Sequence, residues 1–197
     1  NSNITDFNRV VIDANKNTKT TGDEASSTSR SVSLKRLKNK AAHYLGRYAS
    51  TERKLNQVLI KFVKRKWPEI SIDDAKEEIQ ETVNWCREYG FVNDAGYALM
   101  KIKSGRAKGY SAKQIKLKLA QAGISSQQAL AAFSEVEDTS DTEFQAALTM
   151  ARKKRIGPYA RAPIIEHEER IRQMARLARA GYSYEICKNV FDYLGEP

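Results

Sequence analysis

A short phrase that occurs twice is the strongest constraint on how this chain can fold. Gly109, Tyr110, Ser111, Ile115 and Leu119 are matched, in order and spacing, by Gly181, Tyr182, Ser183, Cys187 and Phe191. The phrase reads as a joint between two helices. Gly109 suits the left-handed residue that closes one helix, and Ser111 suits the N-cap of the next, with Gln114 three positions on as its capping-box partner. Tyr110 before the cap and Ile115 four residues into the helix are spaced to clip the entry of the chain. Ile115, Leu119 and Ala122 then share a face, Lys113, Lys116 and Lys118 are left for the remaining surface, and Gly123 ends the helix. A fainter third copy places Thr51, Leu55 and Leu59 at the Ser, Ile and Leu positions but lacks the Gly-Tyr pair. Copies set roughly 60 to 70 residues apart mark tandem supersecondary units rather than one irregular domain.

The rest of the chain divides around these joints. Residues 1–32 carry one apolar patch, Ile4, Phe7, Val10, Val11 and Ile12, followed by a polar run that buries too little surface to offset its ordering entropy. That segment is expected to be loosely attached. From Ser33 the pattern is helical. Leu34, Leu37, Ala41, Tyr44, Leu45 and Tyr48 form the inner stripe of a first helix, and Leu55, Leu59, Phe62 and Val63 that of a second, which stops at Trp67-Pro68. A third, capped by Asp73, carries Ile79, Val83 and Cys86 inside and Asp74, Glu77, Glu78, Glu81 and Glu88 outside, an ordinary solvated face. These three helices make a unit over 33–91. A second unit, 92–137, opens at Asn93-Asp94, passes through the Ser111 joint and ends in a helix begun by the Ser125-x-x-Gln128 capping box, with Leu130, Phe133 and Val136 apolar. A third, 138–197, takes its core from residues such as Phe144, Leu148, Ile165, Ile171, Met174, Leu177, Val190 and Leu194.

Charge narrows the partners. The formal net charge is +10, which points to a polyanion: nucleic acid, an acidic protein surface, or a complex of both. Between Lys101 and Lys118 there are seven basic residues, Lys101, Lys103, Arg106, Lys108, Lys113, Lys116 and Lys118, and no acid. Arg53, Lys54, Lys61, Lys64 and Arg65 load the second helix. Arg152, Lys153, Lys154, Arg172, Arg176 and Arg179 decorate the last unit. Together these cations are the candidate binding surface. A sequence reader would present Arg, Asn or Gln along one groove-facing helix, whereas the Lys113–Lys118 face is mainly lysine and suits phosphate. Tyr97, Tyr110, Tyr182 and Trp85 sit at helix seams, where packing is the better reading than base stacking.

The chemistry of an enzyme is missing. His167-Glu168-Glu169 begins like a zinc-protease helix, but Ile171 stands where the second histidine belongs. No P-loop, nucleophile elbow or dinucleotide fingerprint is present, and neither His43 nor His167 has a cysteine at ligand spacing. No catalytic residue, metal or cofactor is expected. No apolar run approaches the ~18 residues of a membrane span. Cys86 and Cys187 lie within helical apolar patterns, which favours buried thiols in a reducing, cytoplasmic setting.

The run Trp85-Cys86-Arg87-Glu88-Tyr89-Gly90-Phe91-Val92-Asn93-Asp94, then Tyr97-Ala98, Lys108-Gly109-Tyr110, Ile115, Leu119 and Gly123-Ile124, resembles the RecX family of recombination regulators. The likeness covers the middle unit fully and extends more faintly from about Leu34 to Leu194. It implies an all-α fold, an elongated tandem array of three-helix, helix-turn-helix-like repeats, acting as a monomer. It also implies binding to the RecA recombinase filament and inhibition of strand exchange, ATP hydrolysis and coprotease activity, with contact to single- and double-stranded DNA as a further expectation. Lys118 stands where the family usually carries an acid, which makes this unit more basic than the pattern requires. The alternative reading is a sequence-independent DNA-binding protein that acts through phosphate contacts.

Overall fold

A computed structural model describes residues 32–136, 140–161 and 167–193. Residues 1–31 of the segment expected to be loosely attached, the core candidates Ile165 and Leu194, and most of the EDTSD joint expected at 137–141 lie outside the described residues; Val32, the last residue of that segment, is described and is buried rather than loose. Within them there are nine α-helices and one 3-10 turn, and no strand. The helices are α1 (Leu34–Leu45), α2 (Glu52–Lys66), α3 (Lys76–Glu88), α4 (Asp94–Ala107), α5 (Ala112–Ala122), α6 (Ser126–Val136), α7 (Ser140–Lys154), α8 (His167–Arg179) and α9 (Tyr184–Phe191); the 3-10 turn is Gly157–Tyr159. The chain is all-α, and its helices repeat in tandem. None of the helices among the described residues is long and apolar enough to cross a membrane.

The chain divides after Asp94 into two compact units. In the first, α1, α2 and α3 each pack against the other two. Their core is Leu37 and Ala41 of α1, Leu55, Leu59 and Val63 of α2, and Ile79, Val83, Trp85 and Cys86 of α3. Leu55, Leu59 and Val63 are fully buried, and removing each such side chain from water contributes about 1.5–3 kcal/mol. Two expectations shift here. Tyr48 is 59% exposed, because α1 stops at Leu45 and Gly46, three residues before the periodic stripe runs out. Asp73 does not cap α3. The helix follows Ala75 with no side-chain cap, and Ser71 closes the turn ahead of it: its hydroxyl accepts from the Asp74 amide at 3.1 Å and donates to the Asp74 carboxylate at 2.8 Å.

The second unit, Ala95–Pro197, contains two cores. One joins α4, α5 and α6 through Tyr97, Ala98, Ile102, Ile115, Leu119, Ala129 and Phe133. The other joins α7, the 3-10 turn, α8 and α9 through Leu148, Ala151, Ile156, Leu177, Cys187 and Val190. Leu130 and Ile171, expected inside, are 56% and 52% exposed. Both cysteines are buried and free, as their helical settings imply. Burial is the main cause that pushes the Cys86 thiol up to about 12.

The repeated joints form as their sequences demand. Gly109 and Gly181 take φ of 78° and 94°, where a Cβ is strained, and the amides of Tyr110 and Tyr182 reach back to Gly105 and Leu177 carbonyls at 2.9 and 3.4 Å. Ser111, Ser183 and Thr51 each accept a hydrogen bond from the amide three residues on, at 3.2, 3.3 and 3.3 Å. The Ser125–Gln128 capping box is reciprocal, with bonds of 2.9 and 3.2 Å. In the second unit the two glycine joints also meet. Ser111 Oγ donates to the Ala180 carbonyl at 2.6 Å, and the Tyr182 hydroxyl donates to the Gly109 carbonyl at 3.0 Å, both buried.

Candidate cationic interface

The α2 cations form the most continuous charged face. At roughly 100° per residue, Arg53, Lys64, Lys61, Lys54 and Arg65 fall within an arc of roughly 120°. The arc lies opposite Leu55, Leu59 and Val63, and its only uncharged member is Gln57. Arg53, Lys61, Lys64 and Arg65 are exposed and Lys54 is half-buried. The one acid of α2, Glu52, lies outside the arc, where its carboxylate pairs with Arg87 at 3.4 Å. The Arg65 guanidinium lies 6.0 Å from the Phe62 ring centroid, so the stem packs while the charge stays in water.

The α4–α5 window is basic but less coherent. Lys101, Lys103 and Lys108 of α4 and the turn after it are exposed, and so are Lys113, Lys116 and Lys118 of α5. Lys113 and Lys116 lie roughly 60° apart around the helix, whereas Lys118 is roughly 140° from Lys113 on the other flank. Each of these ammonium groups also lies over a different ring: Lys116 Nζ sits 5.2 Å from the Phe133 centroid, Lys118 Nζ 5.1 Å from Tyr110, and Lys101 Nζ of α4 5.3 Å from Tyr97. The three lysines of α5 are therefore three positions around a helix rather than one patch.

Arg106 is a correction. Expected on the cationic surface, it is only 8% exposed, with its guanidinium 2.5 Å from the Glu143 carboxylate and donating to the Tyr110 carbonyl at 3.0 Å. Glu143 also accepts from the Ala112 amide at 3.2 Å, so one carboxylate closes both the buried arginine and the start of α5. Glu143 is far from Arg106 in the sequence, and no local pattern signals the pair. The same device recurs in the first unit, where Asp94 accepts from the Glu52 amide at 2.9 Å.

The remaining cations divide by role. Arg152, Lys153 and Lys154 close α7 and are exposed. Lys153 Nζ donates to the Lys108 carbonyl at 3.2 Å, which brings the ends of α4 and α7 together and satisfies a terminal carbonyl. Arg152 stands 5.0 Å from the Tyr159 ring centroid. Arg172 is tied to Glu168 and Glu169 at 3.4 and 3.9 Å, and Arg176 reaches the Lys154 carbonyl at 3.5 Å. Arg179 is exposed. Tyr97, Tyr182 and Trp85 are buried and Tyr110 is half-buried, which fits packing. Among the described residues no group of three or more His, Cys, Asp or Glu could hold a metal ion.

The chain is 39% identical to the Regulatory protein RecX of Myxococcus xanthus (strain DK1622) over 171 residues, 83% of this chain and 88% of that protein. The chain belongs to the RecX family. Against the Regulatory protein RecX of Agrobacterium fabrum it is 29% identical over 163 residues, 83% of this chain and 84% of that one. The fold is shared with the crystal structure of RecX from Lactobacillus salivarius, with a TM-score of 0.63 at 21% identity, over 81% of this chain and 94% of that one. A second crystal structure of regulatory protein RecX aligns with a TM-score of 0.66 at 18% identity, over 94% of this chain and 87% of that one. No protein-family model matches the chain. The resemblance drawn from Trp85–Asp94 and the Gly-Tyr-Ser joint is thus a family relationship over most of the chain.

Proposed function

We propose that this chain regulates the RecA recombinase: it binds the RecA–DNA filament and inhibits strand exchange, ATP hydrolysis and coprotease activity. It does so by lying in the filament groove, where it blocks growth or promotes disassembly. Family membership is the observation that carries this reading, and the acid-free arc of Arg53, Lys54, Lys61, Lys64 and Arg65 supplies the chemistry. A recombinase filament on DNA is a long polyanion, and cationic helical units in series suit it. Each exposed lysine contributes little by itself, but linked units gain effective concentration on a repeating target. The three-helix stretches 33–91, 92–137 and 138–197 are read as successive contact modules of a cytoplasmic monomer that performs no catalysis.

The second reading, sequence-independent binding to single- or double-stranded DNA, is favoured by the same α2 arc, whose cations suit phosphates. Inhibition of DNA-dependent ATP hydrolysis by the recombinase separates the two. A filament modulator inhibits at amounts too small to coat the DNA; a competitor for free DNA requires stoichiometric coating. Reversing Lys113, Lys116 and Lys118 together to Glu is expected to weaken inhibition and lower its salt dependence. Arg53→Glu with Lys61→Glu and Lys64→Glu should do more, with the logarithmic salt slope falling by roughly 0.7 per lost single-strand phosphate contact. Unchanged inhibition by both variants at every salt concentration would exclude these faces.

A further inference from the structure

In the second unit the ends of α4 and α7 and the flank of α8 bring together Lys108, Arg152, Lys153, Lys154, Arg155 and Arg176, all of them exposed. Contacts between residues remote in sequence fix the cluster. Lys153 Nζ donates to the Lys108 carbonyl at 3.2 Å, and the Arg176 guanidinium donates to the Lys154 carbonyl at 3.5 Å. The Arg152 guanidinium is held 5.0 Å from the Tyr159 ring centroid. Counter-charges are absent from the sequence around it: no acid lies between Asp94 and Glu135, nor between Glu143 and Glu166. Among the described residues none of these six cations is paired with a carboxylate. The C-terminal ends of α4 and α7 each carry about half a negative charge, so they offset only a small part of the six.

The backbone singles out one member. Arg155 has φ 54°, the one positive value at a residue other than glycine among the described residues. It closes α7 by a pattern used elsewhere in the chain: its amide reaches the Arg152 carbonyl at 3.3 Å, and the next amide, of Ile156, reaches the Ala151 carbonyl at 2.9 Å. The helices α3, α4, α5 and α8 end with the same pair of bonds, and there the left-handed residue is Gly90, Gly109, Gly123 and Gly181. Glycine takes that conformation without strain and an arginine does not. The turn therefore gives no reason for Arg155, whereas the cation cluster does: a strained residue kept at one point of a charged surface signals a role outside the fold.

We propose that Arg155 and the cations around it bind the phosphate backbone of DNA, in addition to the α2 arc. The inference rests on the reading that the cationic faces of this chain meet DNA, and it assigns that contact to a site in the second unit. Guanidinium forks match phosphate oxygens, and Arg152, Arg155 and Arg176 supply three. A protein partner would instead want an apolar centre within the patch. The large apolar side chains left exposed in this unit, Met100, Leu117, Leu130, Ile171 and Tyr184, include none from the end of α7 or the turn after it.

The probe is a fluorescein-labelled oligodeoxythymidine, titrated with the full chain at several salt concentrations, without recombinase, and followed by anisotropy. Arg155→Gly should bind about fivefold more weakly at 0.1 M salt, with the logarithmic salt slope lower by about 0.7, the share of one single-strand phosphate contact. The same variant should unfold at a higher urea concentration than wild type, because the strain is relieved. Arg155→Lys keeps the charge and should keep the salt slope. Weaker binding by a more stable protein is a pair of shifts that a packing role does not produce. Unchanged DNA affinity in Arg155→Gly, or no binding by wild type, overturns the proposal; so does a lower urea midpoint, which would make Arg155 a structural residue. Inhibition of ATP hydrolysis by the recombinase separates this site from the filament reading. If Arg155→Gly weakens inhibition but not DNA binding, the patch meets protein, and the proposal falls while the filament reading stands. If wild type does not inhibit and Arg155→Gly still weakens DNA binding, the site stands and the filament reading falls.

Discussion

The Ser111 and Ser183 joints share a backbone and differ in what surrounds them. Ser111 has φ −65° and ψ 157°, Ser183 has φ −68° and ψ 160°, and each hydroxyl accepts from the amide three residues on. Ser111 is fully buried: it also donates to Ala180, and its helix start is closed by Glu143. Ser183 is exposed. The two glycines differ in the same way. A Cβ on Gly109 would meet the Met150 amide nitrogen at 2.8 Å and the Ala146 carbonyl at 3.0 Å, which are backbone atoms of α7, whereas one on Gly181 would meet the Ser111 hydroxyl at 2.7 Å. Local sequence sets the turn, and tertiary context decides how much stability depends on it.

The largest effect is expected where the buried joint is tied by charge. Glu143→Ala removes the carboxylate from Arg106 and from the Ala112 amide at once, leaving a buried cation without its counter-ion, at a cost of about 3–5 kcal/mol. Asp94→Ala removes the corresponding acid from the Glu52 amide but leaves no buried charge behind, and should cost about 1 kcal/mol. Urea unfolding of the two variants measures the difference. Equal costs would show that Arg106 is not what binds the two cores of the second unit together.

A smaller effect separates the serines themselves. Ser183→Ala forfeits one exposed cap, about 0.5–1 kcal/mol, whereas Ser111→Ala forfeits a cap and leaves the buried Ala180 carbonyl without its donor, a further loss of about 1–2 kcal/mol. If the two substitutions cost the same in thermal or urea unfolding, the Ser111–Ala180 bond contributes nothing net and the comparison between the joints fails.

What the sequence made legible follows the same division. Features settled within one turn of helix could be read directly: the caps at Thr51, Ser111, Ser125 and Ser183, the left-handed glycines, and the stop at Trp67. The periodic stripe misled where it outran its helix or where its packing partner was distant. Tyr48 keeps the spacing of α1 after α1 has ended. Ile171 keeps the spacing of a core face, but its side of α8 forms the wall of an open groove. At the candidate interface the sign of the charge was visible, but its distribution was not. Arg106 reads as one cation among seven until Glu143 folds over it, and the coherent arc of α2 emerges only when α1 and α3 are seen to cover the opposite side.

The smallest predicted effect reads the buried contact between the two joints by its pH dependence. The Tyr182 hydroxyl donates to the Gly109 carbonyl, whereas Tyr110, its counterpart in the other joint, is half-buried with Lys118 over its ring. Tyr182→Phe should cost about 1 kcal/mol at neutral pH. Burial first, and then the Glu143 carboxylate, hold the Tyr182 phenol well above the ordinary tyrosine range, against a lowering by Arg106. Unfolded tyrosine ionises near pH 10, so above about pH 10 the folded chain holds a proton that the unfolded chain releases. The resulting stabilisation is complete below about pH 10 and falls as pH rises beyond it, by about 1.4 kcal/mol per unit. Cys86 and Cys187, whose thiols are also raised, lose stability in alkali in both proteins, and their share cancels when the chain is compared with its variant. The gap between wild type and Tyr182→Phe should therefore be constant from pH 7 to 9 and close between pH 10 and 11. A gap that stayed constant to pH 11 would mean that water reaches the phenol, and the second joint would then be no more than a surface turn.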